Sequence, residues 1–154
     1  MATTIPRFGI TLAFIVASVT GLPARAADTG PIEPLLNDMV VAANAHDAQR
    51  FMAFYDHSPA LTVTFDDMTI QGWQPLLDQQ VQWWDNGKST AVYTNVSAPR
   101  ITVISDTVIA SLQTLKVIPA PGVVGKEARL TITSIWKKRP EGWRIVVAHE
   151  SLTR

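Results

Sequence analysis

The chain changes its hydrophobic period once and does not change back. Up to Asn86-Gly87 its apolar residues recur mostly at helical spacing; from Ala91 onward the pattern is strands only. Leu35, Leu36, Met39, Val40 and Ala43 form one stripe of a first helix, entered through Gly30-Pro31 and Pro34, where proline fits the first turn. Asp47 is placed to cap a short second helix carrying Ala48, Phe51, Met52 and Tyr55 on one face. Leu61, Val63 and Phe65 alternate with threonines, Asp66-Asp67 turns the chain, and Thr69–Gln71 returns. A third helix runs from about Trp73 to Asp85, with Trp73, Leu76, Leu77, Gln80, Val81 and Trp84 on its buried stripe.

The later strands read Ala91–Ala98, Arg100–Ile118, Ala128–Lys138 and Trp143–Leu152. Ser105-Asp106 is a candidate break and Pro119–Gly125 a loop. Helices first and long antiparallel strands afterwards predict an α+β domain. Long strands twist, so the expected form is a cone-shaped, strongly curved, mostly antiparallel sheet, with three N-terminal helices packed on its concave face. The open end of such a hollow is the natural place for a ligand.

Residues 1–26 read as a cleaved secretory signal peptide: Arg7, the uncharged run Phe8–Leu22, then Ala24-Arg25-Ala26 as a small-residue cleavage site. That run is about 15 residues long, short of the roughly 20 that cross a bilayer as a helix, so no stable membrane anchor is expected. Residues 27–154 then form a single domain, periplasmic or secreted. The chain has 13 basic and 13 acidic residues, and losing Arg7 and Arg25 leaves a slight acidic excess, no basis for binding nucleic acid. It has no cysteine, and no two histidines stand at metal-ligand spacing on one face, so neither a metal nor any other cofactor is expected.

The last hairpin carries the candidate chemistry. Strict alternation along Trp143–Glu150 puts Trp143, Ile145, Val147 and His149 on one face, and Arg144, Val146, Ala148 and Glu150 on the other. Arg144 and Glu150 mark the wet side, which sends His149 inward as a catalytic candidate able to take or give a proton near neutral pH. Ser134 and Trp136 share an inward face with Leu130 and Ile132 and are candidate ligand contacts across the hairpin. Tyr55 is a candidate for offering its hydroxyl at the pocket mouth, and Trp83, beside the buried stripe of its helix, for lining the cavity or a dimer face. Each also has an ordinary reading: a hydrogen-bonded core histidine, a small polar filler, or packed aromatic rings.

The element order and several local phrases resemble the nuclear transport factor 2-like superfamily, in particular its SnoaL-like branch. His46-Asp47-Ala48 resembles the family's helix start, and Ile70-Gln71-Gly72 its glycine before the third helix. Gly142-Trp143-Arg144-Ile145 with His149-x-Ser151 is similar to its "GxWxI…HxS" ending. The spacing of Trp136, Trp143, His149 and Ser151 also resembles the association domain of calcium/calmodulin-dependent kinase, although Ser134 stands where that domain carries arginine. Ketosteroid isomerases place a tyrosine on the first helix, and this chain offers none there.

The resemblance implies either a pocket for a small apolar or aromatic molecule, with isomerase- or dehydratase-type proton transfer, or a non-catalytic dimerisation or ligand-sensing module. A homodimer is expected, because Val108, Ala110 and Leu112 alternate with Ile109 and Ser111 and leave apolar residues on both faces of one strand.

Overall fold

The computed structural model describes residues 30–120 and 127–153; the expected signal peptide, and 121–126 of the expected loop, lie outside the described residues. Three helices are present: α1 (Ile32–Asn44), α2 (Ala48–Met52) and α3 (Trp73–Trp83), the last followed by a 3-10 turn at Asp85–Gly87. The strands are β1 (Thr62–Phe65), β2 (Met68–Gln71), β3 (Val92–Asn95), β4 (Arg100–Ser105), β5 (Val108–Ile118), β6 (Ala128–Arg139) and β7 (Gly142–Thr153). They form one strongly curved, unclosed sheet in the order β2-β1-β7-β6-β5-β3, with β4 also on β5. All described strand–strand pairings are antiparallel except β1 with β7, and an isolated parallel bridge joins Tyr55 to Ile145.

Local chemistry explains the boundaries. Asp47 caps α2 by accepting the Arg50 amide at 2.9 Å, satisfying one of the free donors of a helix start. Gly72 precedes α3 at φ +93°, a backbone angle that penalises a side chain. The expected long strand Arg100–Ile118 is two strands, broken at Asp106-Thr107. Both halves of β5 use the same edge: β4 pairs with Val108–Leu112 and β3 with Leu115–Ile118.

The core lies between the helices and the concave side of the sheet. Ile32, Leu36 and Met39 of α1 meet Leu76 and Leu77 of α3 and, from the sheet, Val63, Ile109 and Ile145. Trp136 is fully buried there, and its indole Nε1 donates to Ser111 Oγ at 2.9 Å, so the ring is packed with its polar atom satisfied. Ser134 is 1% exposed on the same face.

One irregularity reverses part of the expected pattern. Along β6 and β7, Trp136 pairs with Ile145 but Ile135 pairs with Val147, so Val146 is an extra residue in β7. A one-residue bulge shifts every later side chain to the opposite face. Beyond it Ala148 pairs with Ser134 and Glu150 with Ile132, both inward, while His149 pairs with the exposed Thr133 and is itself exposed. His149 therefore looks out to solvent, and Glu150 looks in: the reverse of strict alternation.

Replacing Trp136 with alanine is expected to cost about 3–5 kcal/mol, as for large aromatic truncations in packed cores. Replacing His149 with alanine should stay within about 0.5 kcal/mol, as for an exposed position. Urea denaturation of the two variants checks the pair; a large loss at His149 with little at Trp136 would restore the inward histidine.

Candidate functional site

A cavity of about 320 Å³ opens between α1, α3 and the concave side of β5, β6 and β7. Its wall is largely apolar: Met39, Val40 and Ala43 come from α1, Leu115 and Val117 from β5, and Leu130 and Ile132 from β6. Aromatic rings close one side. Phe65 and Trp83 pack with centroids 5.2 Å apart, and Phe51 and Trp84 at the same distance edge to face, with Tyr93 beside Trp84. Four polar side chains reach this surface: Glu150, Gln80, Gln113 and Tyr93.

Glu150 is placed by its backbone. The Asp66 amide donates to the Glu150 carbonyl at 2.8 Å, and the Leu152 amide donates to Asp66 Oδ1 at 2.9 Å, so the β1–β2 turn clasps β7 on either side of this residue. Asp66, one of the two adjacent aspartates of that turn, is thus a structural clasp. The Glu150 carboxylate makes one hydrogen bond among the described residues: Tyr55 Oη donates to its Oε1 at 3.5 Å, long for an O–H···O bond. Burial away from water disfavours the charged form, and this weak bond offsets little of that, so the Glu150 pKa is pushed up to about 7. The same burial, with the nearby Glu150 charge, raises Tyr55 well above the usual phenol range.

The other polar groups differ in how far they are satisfied. Gln113 Nε2 donates to Asn95 Oδ1 at 2.8 Å, which ties its amide into the wall. Tyr93 Oη accepts from Trp84 Nε1 at 3.0 Å and so keeps its own hydroxyl proton to donate. The Asn44 side chain clamps Tyr93 through both backbone groups, each at 2.8 Å, fixing β3 against the end of α1. Gln80 is only 7% exposed, lines the cavity, and its side-chain amide has no hydrogen-bond partner among the described residues.

Of the residues singled out in sequence, Trp83 lines the cavity, 38% exposed. Tyr55 lies behind the wall and touches the site through Glu150. Ser134 and Trp136 belong to the packed core beneath and do not line the cavity. His149 is on the opposite face of the sheet, because the extra residue at Val146 inverts the phase. Glu150, Gln80 and Tyr93 were missed as site residues. Gln80 was legible as a polar residue on an otherwise apolar helical stripe; the bulge hides the face of Glu150 from any phase counted from Arg144, and only Leu152, in phase with it, marks that face as inward. Among the described residues, no group of three His, Cys, Asp or Glu side chains is placed to hold a metal ion.

The raised Glu150 pKa has a consequence for stability. From the ordinary glutamate value of 4.5 to about 7, the folded state holds a proton that the unfolded state has released. Stability from this residue is thus full at low pH and falls as pH rises through 7, by up to about 3 kcal/mol. Relative to Glu150→Gln, which cannot titrate, the wild type is expected to lose stability between pH 5 and pH 8. Urea denaturation of both proteins at each pH measures the difference, and parallel profiles would contradict it.

Residues 32–154 match the family model described as "SnoaL-like domain". No curated protein sequence matches the chain. Among solved structures, a nuclear transport factor 2-like protein of unknown function from Shewanella oneidensis superposes with TM-score 0.67 at 18% identity, covering 79% of this chain and 96% of that one. An uncharacterised protein with a cystatin-like fold from Caulobacter vibrioides gives 0.68 at 16% identity, covering 80% and 88%. A calcium/calmodulin-dependent protein kinase II association domain-like protein from Xanthomonas campestris gives 0.61 at 12% identity, covering 79% and 85%. At these identities the structures share the fold alone, and the match that spans every described strand and helix is the family model: the chain belongs to the SnoaL-like domain family.

Proposed function

We propose that this protein binds a small apolar or aromatic molecule in the cavity between its helices and sheet, and that Glu150 exchanges a proton with it. The observation that carries the reading is a lone carboxyl group, with a pKa of about 7, in an apolar wall. Such a group is a strong enough base to take a proton and a strong enough acid to return it at neutral pH, as isomerase- or dehydratase-type reactions require. Tyr93, with its hydroxyl proton free, and Gln80, with its unpartnered amide, are the donors available to an oxygen on the ligand. Glu150 takes the role that alternation along β7 assigned to His149.

Proton transfer is tested with an apolar bicyclic ketone, 2-tetralone, in deuterated buffer. Wild-type protein is expected to accelerate exchange of the protons next to the carbonyl, and Glu150→Gln to lower that acceleration by about 100-fold or more, as for loss of a general base. Binding without any acceleration, followed by NMR, would leave a ligand-sensing module and remove the catalytic part of the reading.

The outer face of the sheet favours a homodimer as the working form. Leu112 of β5 and Val147 of β7 are 37% and 45% exposed there, flanking Thr133 and His149. Large apolar groups grouped on one solvent face mark a protein contact. Export to the periplasm or beyond is proposed from Arg7, Phe8–Leu22 and Ala24-Arg25-Ala26. Intact mass coupled to light scattering, on protein recovered from an exporting cell, checks both: the expected species is a dimer of chains beginning near Ala27, and Val147→Lys should shift it to monomer. Uncleaved chains, or monomer at high concentration, would overturn the respective claim.

A further inference from the structure

We infer that the cavity is built for an apolar molecule bearing a single positive charge on nitrogen, with the Glu150 carboxylate as its counter-ion and the aromatic wall around its cationic end. This rests on the cavity being the binding site.

The first ground is the charge inventory. Of the described side chains lining the cavity, Glu150 alone is ionisable near neutral pH, and no lysine, arginine or histidine is among them. Its carboxylate has one long hydrogen bond, from Tyr55, and no ion pair among the described residues. A buried carboxylate without a cation is costly, and a ligand that supplies the cation recovers that cost. A carboxylic acid or phosphate ligand would face the opposite balance, repelled by Glu150 and met by no positive group among the described lining residues.

The second ground is the ring content. Phe51, Phe65, Trp83, Trp84 and Tyr93 all line this one cavity, and they form contiguous pairs rather than scattered contacts. Aromatic faces attract a desolvated ammonium, and tryptophan most strongly. Aliphatic residues from α1, β5 and β6 fill the rest of the wall, which suits a hydrocarbon body attached to the charged end. Gln80, with a free amide oxygen, is a second acceptor for an N–H donor.

The titratable groups facing Glu150 do not reverse this. Tyr55, from the segment after α2, and Tyr93 of β3 both hold their protons more tightly than usual because of burial, so neither adds charge near neutrality. On β1 the nearest acid is Asp66, exposed in the turn and bonded to the Leu152 amide. From α1 and α3 the facing residues are Met39, Val40, Ala43, Gln80 and Trp83, and from β5 and β6 Gln113, Leu115, Val117, Leu130 and Ile132. An ammonium ligand stays charged at pH 6–8, since alkyl amines ionise near 10.4. It therefore binds the ionised form of Glu150, and its binding below pH 7 drives a proton from the Glu150 carboxyl into solvent.

The test is isothermal titration calorimetry with three ligands sharing one skeleton: 4-phenylbutylamine, 4-phenylbutanol and 4-phenylbutyrate. At pH 8 the amine is expected to bind about tenfold or more tightly than the alcohol, and the acid least tightly of all. Between pH 8 and pH 6 amine affinity should fall about tenfold, with release of about one proton at pH 6, read from buffers of different ionisation enthalpy. Glu150→Gln, an isosteric change, should erase the preference for amine while leaving alcohol binding in place. If the alcohol binds as well as the amine at pH 8, or if Glu150→Gln keeps the preference, the cationic ligand is wrong while the pocket stands. If none of the three binds, the pocket reading falls with it.

Discussion

The structure turns on a single extra residue in its last strand. Val146 lets Ile145 stay in the core while Ala148 and Glu150 also face inward, which no unbroken strand allows. The bulge is held from outside the β6–β7 ladder. The segment following α2 runs alongside it: the Ile145 amide donates to the Phe54 carbonyl at 2.9 Å and the Asp56 amide to the Ile145 carbonyl at 2.9 Å. Asp56 in turn takes two parallel bonds from Arg139, at 2.8 and 2.9 Å, the bidentate geometry in which an ion pair also fixes orientation. One short stretch, Phe54–Asp56, thus supports the bulge, presents Tyr55 to Glu150 and anchors the β6–β7 hairpin.

That arrangement separates a packed half from a hollow half along one face of the sheet. Toward the hairpin, Trp136, Ile145 and Ala148 pack in one cluster with α1 and α3, Ser134 is buried beside them, and the Trp136 indole N–H donates to the Ser111 hydroxyl oxygen. Toward the other ends of the same strands, Leu130, Ile132, Glu150 and Leu152 border open volume. The packed half can bear the cost of the hollow half, where a carboxyl group is set in a largely apolar wall. Glu150 sits at that boundary, on a strand paired on both sides, with β6 and with β1.

Much of this was legible in the sequence. The helical stripes placed Leu36, Met39, Leu76, Leu77 and Trp84 in the core, the Asp47 cap is where the residue type asks for one, and the change from helical to strand period gave the layer order. The hollow followed from strand length and twist, and Trp83 beside a buried stripe does line it. The face of the catalytic candidate was not legible, for a definite reason. Ile145-Val146-Val147-Ala148 is four apolar residues in a row, so no polar residue marks which face is which across it, and phase read from Arg144 does not carry to Glu150. Leu152, two residues past Glu150, held the signal: an apolar side chain in phase with Glu150 and opposite Leu130 sets that face inward. Tyr55 was visible as a core aromatic with a polar tip, but its bond to Glu150 depends on the long-range pairing of Tyr55 with Ile145, which no local pattern encodes.

Two acids among the described residues, Asp56 buried and Glu150 half-buried, are treated in opposite ways. Asp56 is 8% exposed and meets a guanidinium in full bidentate contact, so its charge is balanced within the chain. Glu150 receives one long bond from a phenol, with Arg139 committed elsewhere and the Lys116 ammonium held by Glu127 at 2.8 Å. A carboxyl group whose function was only to hold the fold would gain from a partner such as Asp56 has, and an apolar residue in its place would pack against Ile132 and Phe65 at no electrostatic cost. Neither solution is present. The imbalance sits on the wall of a hollow that five of the described aromatic rings line, and the proposed ligand rests on it.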